Sequence, residues 1–320
     1  MSIQKTSIGL RGLGCALPER FTPLAELPLK STPETLAAFG FTGAYLAEDA
    51  HQLAVAATQK ALTDAEVLPR EIDALLFAGA LPLAHQRPSE QPSSTPLNGF
   101  CYVGSWLQEE IGLDRASVSG IAQQGCAGMF SALRVARALL TAEPHLEHVL
   151  CVGADALPAG ACREILYNVI SDAACAAVLS RTAIRHRWLA FHQISKGFYW
   201  DVPTKEREII AAYFPAARAA INRVLSEASL RPEDIDVVIP TGVNATSWPI
   251  LLRLCGIPEK RLYTPQHRFG HTIAADTFLL LEEAQATGAL APGMRVLLFT
   301  YGFGSSWCAL VLEVAGEEKQ

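Results

Sequence analysis

Short apolar runs alternate with stretches of helical periodicity along most of the chain. VLCVGADAL (149–157), DVVIPTG (236–242) and RVLLFTYG (295–302) are apolar, partly β-branched and bounded by Gly or Pro, and predict buried strands. HQLAVAATQKALTDA (51–65), FSALRVARALLTA (130–142) and AARAAINRVLSEASL (216–230) place apolar residues at helical spacing. Alternating βα units predict an α/β architecture. LAHQRPSEQPSSTPLNG (83–99) reads as a long Pro- and Ser-rich loop, of the kind used for lids and partner contacts. The stretch 181–208, with Trp188, Trp200 and Pro203, has weak periodicity and is predicted to join two halves, 1–180 and 181–320.

The halves resemble each other. LTDAEVLPREIDALLFAG (62–79) aligns without gaps to LSEASLRPEDIDVVIPTG (225–242), each reading as helix end, turn with Pro, then strand. GCAGMFSALRVARALL (125–140) holds the place in the first copy that GHTIAADTFLLLEEAQ (270–285) holds in the second. Each copy then closes with a further strand, ACAAVLS (174–180) or WCALVLEV (307–314). Several matches in one order predict an internal duplication and a fold with a pseudo-twofold axis.

Composition narrows the class. The 320 residues are 50% hydrophobic and 18% charged, which excludes a disordered chain. A net charge of −6 argues against sequence-independent binding to nucleic acid or to an anionic membrane. No apolar run reaches the roughly 20 residues needed to span a bilayer. The opening MSIQKTSIGLRGLG lacks a signal-peptide core, and eight cysteines without a CxxC read as reduced thiols in a cytoplasmic protein. His145 and His148 flank a predicted turn, and no residue set has metal-ligand spacing.

The duplication makes Cys126 and His271 equivalent positions, each at the start of a central helix. A helix start carries partial positive charge and unpaired N–H groups, which favours thiolate at a cysteine placed there. A histidine facing it can serve as base or donor. His267 is a rival base in the same segment, and Asp276, early in the second helix, is expected to stabilise the helix start.

These segments resemble the thiolase superfamily, in particular its ketoacyl-acyl-carrier-protein synthase III-like branch. The resemblance runs through IGLRGLGCALPERFTPLAEL (8–27), GSWLQEEIGL (104–113), QQGCAGMFSAL, SDAACAAVL (171–179) and the run from DVVIPTGVN to WCALVLEV. It implies a five-layered αβαβα sandwich of two duplicated halves, a dimer, and an acyl-accepting cysteine, Cys126. By the same resemblance Gly304, in YGFGSSW, joins the Cys126 N–H in an oxyanion hole, with Gly302 as a turn glycine. Phe100, in NGFCYVGSW, crosses a dimer interface to shape the partner's acyl pocket, and Asn244 ends the family's HQAN motif.

Two departures change the expected chemistry. The family's catalytic His is replaced by Thr241 in TGVN, to which we assign no catalytic step, and its catalytic Asn by His271 in FGHT. The family's Trp and Arg contacts to coenzyme A are missing from PETLAAFGFTGAYLAEDA (33–50). The resulting expectation is an acyltransferase of specialised metabolism, with no permanently bound cofactor. It would load Cys126 from a carrier-protein or coenzyme A thioester and pass the acyl group to a second substrate with help from His271. A decarboxylating 3-oxoacyl-acyl-carrier-protein synthase III and a catalytically silent heterodimer partner are the competing readings.

Overall fold

The structure, a computed structural model, describes residues 7–81, 102–265 and 269–316. Phe100, His267 and the loop 83–99 lie outside these. The chain begins with β1 (Gly9–Ala16), then β2 (Phe21–Pro23) and β3 (Gly43–Tyr45), which pair around α1 (Pro33–Ala38). Next come α2 (Ala50–Ala65), β4 (Ala74–Ala78), α3 (Val103–Ile111), β5 (Ser117–Ile121), α4 (Gly128–Ala142) and β6 (His148–Asp155). A small pair, β7 (Glu164–Ile165) and β8 (Asn168–Val169), precedes β9 (Ala173–Ser180). The remainder is β10 (His186–Ser195), α5 (Glu206–Glu227), β11 (Val237–Ile239), α6 (Ser247–Cys255), α7 (Asp276–Ala286), β12 (Arg295–Gly302) and β13 (Ser306–Val314).

The described strands form one nine-stranded sheet in the order β11-β12-β13-β10-β1-β9-β6-β4-β5. Its middle is thin, because β1 and β10 pair over two positions, Gly9 with Arg187 and Leu10 with His186. From this seam two arms run outward with the same sequence of antiparallel, antiparallel and parallel pairings. β5, parallel to β4, has its counterpart in a single parallel bridge between Val238 and Leu262. The repeated order is the structural form of the internal sequence repeat.

Helices cover both faces of each arm, giving the αβαβα layering. One core cluster joins α4 and α7 to the inner faces of both arms, through Val149, Cys151, Val296 and Leu298 among others. A second packs α2 and α3 against Leu150, Val152 and Leu75. A third packs α5 and α6 against Leu297, Phe299 and Trp307. Alternate residues of one strand thus enter different cores, so β6 and β9 are buried at every position. Continuous apolar runs are the signature of such strands. No helix among the described residues is long and apolar enough to cross a membrane.

Two elements differ from the sequence-based reading. Much of the segment 181–208 is the ten-residue strand β10. A register shift between Trp188 and Ala190 interrupts its alternation and hides the strand from a period-2 pattern. Helix α5 begins at Glu206, ahead of Pro215, rather than after it. A proline inside a helix removes one backbone donor; here the preceding turns pack Ile209, Tyr213 and Phe214 around the cavity described below.

The outer layer depends on close approach of α2 to β1. A side chain at Gly14 would collide with the backbone of Ala57 and Ala61, and one at Gly12 with that of Ala61 and Ala65. Gly14→Val, although strand-favouring, is expected to cost about 3 kcal/mol through overpacking. The check is a lowered urea midpoint with an unchanged dependence on denaturant; an unaltered midpoint would refute the close-packing argument.

Candidate active site

Cys126 lies in a 3-10 turn, Gly125–Ala127, that runs directly into α4. The turn leaves β5 through two left-handed residues, Gln123 at φ 66° and Gly125 at φ 48°. A non-glycine residue there is held by its surroundings. The surroundings are the β12–β13 turn, pressed backbone to backbone against it. A side chain at Gly125 would meet the backbone of Phe303, one at Gly302 the backbone of Gln124 and Ala127, and one at Gly304 the carbonyl of Gln123. Gly304 itself sits at φ 87°. The residue of this turn that faces the cavity is Phe303.

His271 arrives from the other half. Its backbone is fixed by paired hydrogen bonds, its N–H donating to Val169 O (2.7 Å) and its carbonyl accepting from Ser171 N (2.9 Å). The segment that holds it is anchored by Asp172, buried with Arg163 at 2.5 Å and accepting from Ala47 N and Leu157 N. The result places His271 Nε2 3.2 Å from Cys126 Sγ.

The other ring nitrogen, Nδ1, lies 2.5 Å from Oδ2 of Asp276. The sequence reading assigned Asp276 to the helix start, and it does serve there: Oδ1 accepts from Thr272 N (2.5 Å) and Thr272 Oγ1 (2.7 Å). Oδ2 also accepts from Gly242 N at 2.8 Å. The same carboxylate therefore orients the histidine, a role that sequence reasoning missed. With Nδ1 donating to a carboxylate, Nε2 is the nitrogen left to exchange a proton with the sulfur. Burial pushes the His271 imidazolium pKa down, but the Asp276 carboxylate and the Cys126 sulfur outweigh it and hold it well above the ordinary 6.5.

The sulfur and the ring open into a cavity of ≈340 Å³ whose walls are largely apolar, with Tyr167, Tyr213, Phe214, Tyr301 and Phe303 among aliphatic side chains. Burial pushes Tyr301 up to about 12, so it is a neutral phenol. Ala80 and Leu81, on another wall, donate to Asp155 Oδ1 at 2.8 and 3.0 Å. Thr241 and Asn244 line the same cavity. Thr241 accepts from Trp248 Nε1 through its carbonyl (3.3 Å). Asn244 Oδ1 accepts from Thr246 N and Oγ1, which makes it a local turn-former at the start of α6. Cys126, His271, Thr241 and Asn244 are thus brought to one cavity, and Gly304 to its supporting turn. The signal for Asp276 was its place at the head of α7 in HTIAAD, and for Tyr301 the YGFG run beside Gly304.

Comparison with known proteins agrees with this fold. Residues 122–197 match the family model of 3-oxoacyl-[acyl-carrier-protein] synthase III, and 225–314 match its C-terminal domain. Together the two take in more than half of the chain, which belongs to the synthase III-like branch of the thiolase superfamily. A beta-ketoacyl-[acyl-carrier-protein] synthase III of Bacillus pumilus is 26% identical over 95% of this chain and 98% of its own. The solved 3-oxoacyl-[acyl-carrier-protein] synthase III of Aquifex aeolicus superposes with a TM-score of 0.82 at 23% identity, covering 96% of this chain and 99% of that one. The structure of ChlB3, an acyltransferase, gives a TM-score of 0.82 at 22% identity over 97% and 98%.

Two outcomes are expected. His271 stays protonated above the usual imidazole range, so its stabilising contribution is full below about pH 6.5 and is lost as pH rises through the raised value. Asp276→Asn should move the His271 titration to lower pH, read by NMR of the ring protons; no shift would remove Asp276 from the pair. Brief iodoacetamide treatment should label Cys126 before Cys15, Cys151, Cys175, Cys255 and Cys308. Burial pushes those five thiols up, Cys255 to about 11 and Cys308 to about 12. Peptide mapping that shows equal labelling would count against the nucleophile assignment.

Proposed function

We propose that the chain is an acyltransferase of specialised metabolism that takes an acyl group from a carrier-protein or coenzyme A thioester onto Cys126 and passes it to an alcohol or amine. The observation that carries this reading is the continuous relay from Cys126 Sγ through the His271 ring to the Asp276 carboxylate. The family consists of acyl-transferring condensing enzymes, and similarity to ChlB3, an acyltransferase, supports the narrower reading.

In the first step Cys126 gives its proton to His271 Nε2 as its sulfur attacks the thioester carbonyl. In this reading the N–H of Cys126 and an N–H of the β12–β13 turn pressed against it receive the developing oxyanion, where converging donors lower the barrier. The thiol of the donor leaves with a proton from His271 Nε2. In the second step the acceptor gives its proton to Nε2 while its oxygen or nitrogen bonds the acyl carbon and the C–S bond breaks. Asp276 stabilises the imidazolium formed each time, without itself taking the proton. Asn244 and Thr241 border the path of the substrate.

Decarboxylative condensation, the activity in the names of the curated relatives, needs two polar donors on an enolate oxygen rather than a strong base. Here one of the two family positions is Thr241, which lacks the reach of an imidazole. The other is a histidine whose basicity Asp276 raises. A silent heterodimer partner would have no use for the Cys126–His271 pair in an open, lined cavity. The reading further takes the protein to be a cytoplasmic homodimer.

Incubation with acyl thioesters should add one acyl group to the intact protein and none to Cys126→Ala. His271→Ala should slow transfer to the acceptor by about 10²–10⁴. Release of carbon dioxide from malonyl carrier protein should be about 10²–10³ slower than in an enzyme with both donors. Rapid malonyl decarboxylation by the wild type would overturn the proposal in favour of condensation.

A further inference from the structure

We propose that a second cavity, behind Thr241, is the acceptor subsite, and that it takes an uncharged alcohol with a compact aromatic or alicyclic body. The inference rests on the acyl-transfer reading of Cys126. The cavity measures ≈250 Å³ and shares Thr241 and Val243 with the cavity that contains Cys126 and His271. Gly270 and Thr272, the neighbours of His271 in the chain, line it together with Gly242 and Asp276. The two chambers therefore meet at a wall beside the catalytic ring, one holding the sulfur and the other the carboxylate behind it.

The walls define the ligand. Phe39, Phe41, Trp248, Phe269 and Leu280 supply flat apolar surface. Tyr263 Oη is engaged by Glu283 Oε1 (2.8 Å) and Trp248 Nε1 by the Thr241 carbonyl, so neither ring presents a free polar edge. Both oxygens of Asp276 are likewise engaged. The polar group left on the shared wall is the Thr241 hydroxyl, which makes no hydrogen bond among the described residues. No cationic side chain lines the cavity among the described residues, and Asp276 does. An anionic acceptor would find no cationic side chain on these walls to hold it. An ammonium has no lone pair with which to attack. A neutral hydroxyl suffers neither penalty and can be oriented by Thr241.

An alcohol seated there extends its hydroxyl past Thr241 towards Nε2 of His271. The O–H proton passes to Nε2, the oxygen bonds the acyl carbon, the C–S bond breaks, and the proton returns to the Cys126 sulfur. The products are an ester and the free thiol. Thr241, shorter than an imidazole, is the side chain on the shared wall past which the hydroxyl must reach, and so acts as a positioning residue.

The probe is 2-naphthol, an aromatic alcohol uncharged at neutral pH. Ala245 and Thr264 line the cavity away from the relay, so Ala245→Trp and Thr264→Trp fill it without touching Cys126, His271 or Asp276. Each filled variant, shown by circular dichroism to be folded, should weaken 2-naphthol binding about tenfold or more and slow naphthyl ester formation equally. Release of the acyl group from Cys126 by hydroxylamine, small enough to use the sulfur's own cavity, should be unchanged. If hydroxylamine releases the acyl group but both folded variants bind and esterify 2-naphthol like the wild type, the acceptor assignment is overturned and the acyl-transfer reading stands. If Cys126 takes no acyl group from any thioester, the reaction itself is refuted and the acceptor assignment falls with it.

Discussion

Burying the Asp276 carboxylate at the head of α7 removes solvation that hydrogen bonds must replace. Four donors replace it: the Thr272 N–H and hydroxyl, the Gly242 N–H and the His271 ring. Three of them come from the strand-to-helix turn and the loop after β11, so satisfying the charge also fixes the backbone around the histidine. The fourth converts that fixed charge into chemistry, because it sets which ring nitrogen faces Cys126. Removing the carboxylate would loosen the turn and lower the basicity of the ring together.

The duplicated frame is what brings the parts within reach. Each half supplies one central helix, and the two helices share one core in which Phe130 and Phe278 pack edge to face at 5.5 Å. The sulfur comes from one half and the imidazole from the other. The turn carrying Cys126 is not stable by local preference, since Gln123 is left-handed. It is held by the glycine-rich β12–β13 turn, where even one methyl group at Gly302 or Gly304 would collide with the backbone of the nucleophile turn. The glycines near the nucleophile are thus required by close approach before any catalytic role is considered.

A cysteine backed by a histidine and a carboxylate favours moving protons at sulfur and at an incoming nucleophile. Two donors without a carboxylate favour holding an enolate. On the proposed reading, Thr241 and His271 at the family's His and Asn positions move the site from the second arrangement towards the first. Burial leaves Tyr301 and Tyr213 on the walls of the main cavity neutral, so that the carboxylate–imidazole–sulfur line carries the main charge in the site.

Much of the fold was legible in the sequence because its strands are buried on both faces and its two halves repeat one pattern. RVLLFTYG coincides with β12, and HQLAVAATQKALTDA falls short of α2 by one residue. Cys126 and His271 were legible through motif and repeat, since each follows a glycine at the head of a helix. β10 was not, because a register shift breaks its alternation at Leu189, and the first turns of α5 were not, because Pro215 reads as a start. Nor was the second duty of Asp276. Local sequence explains an acidic residue at a helix start, but its bond to the ring depends on His271 being clamped by Val169 and Ser171, about a hundred residues earlier in the chain. Sequence by itself singled out Cys126 and His271 as candidates and determined which segments repeat. Only the tertiary structure decided which reactive groups touch, because contacts across the seam are set by packing and by the need to satisfy a buried charge.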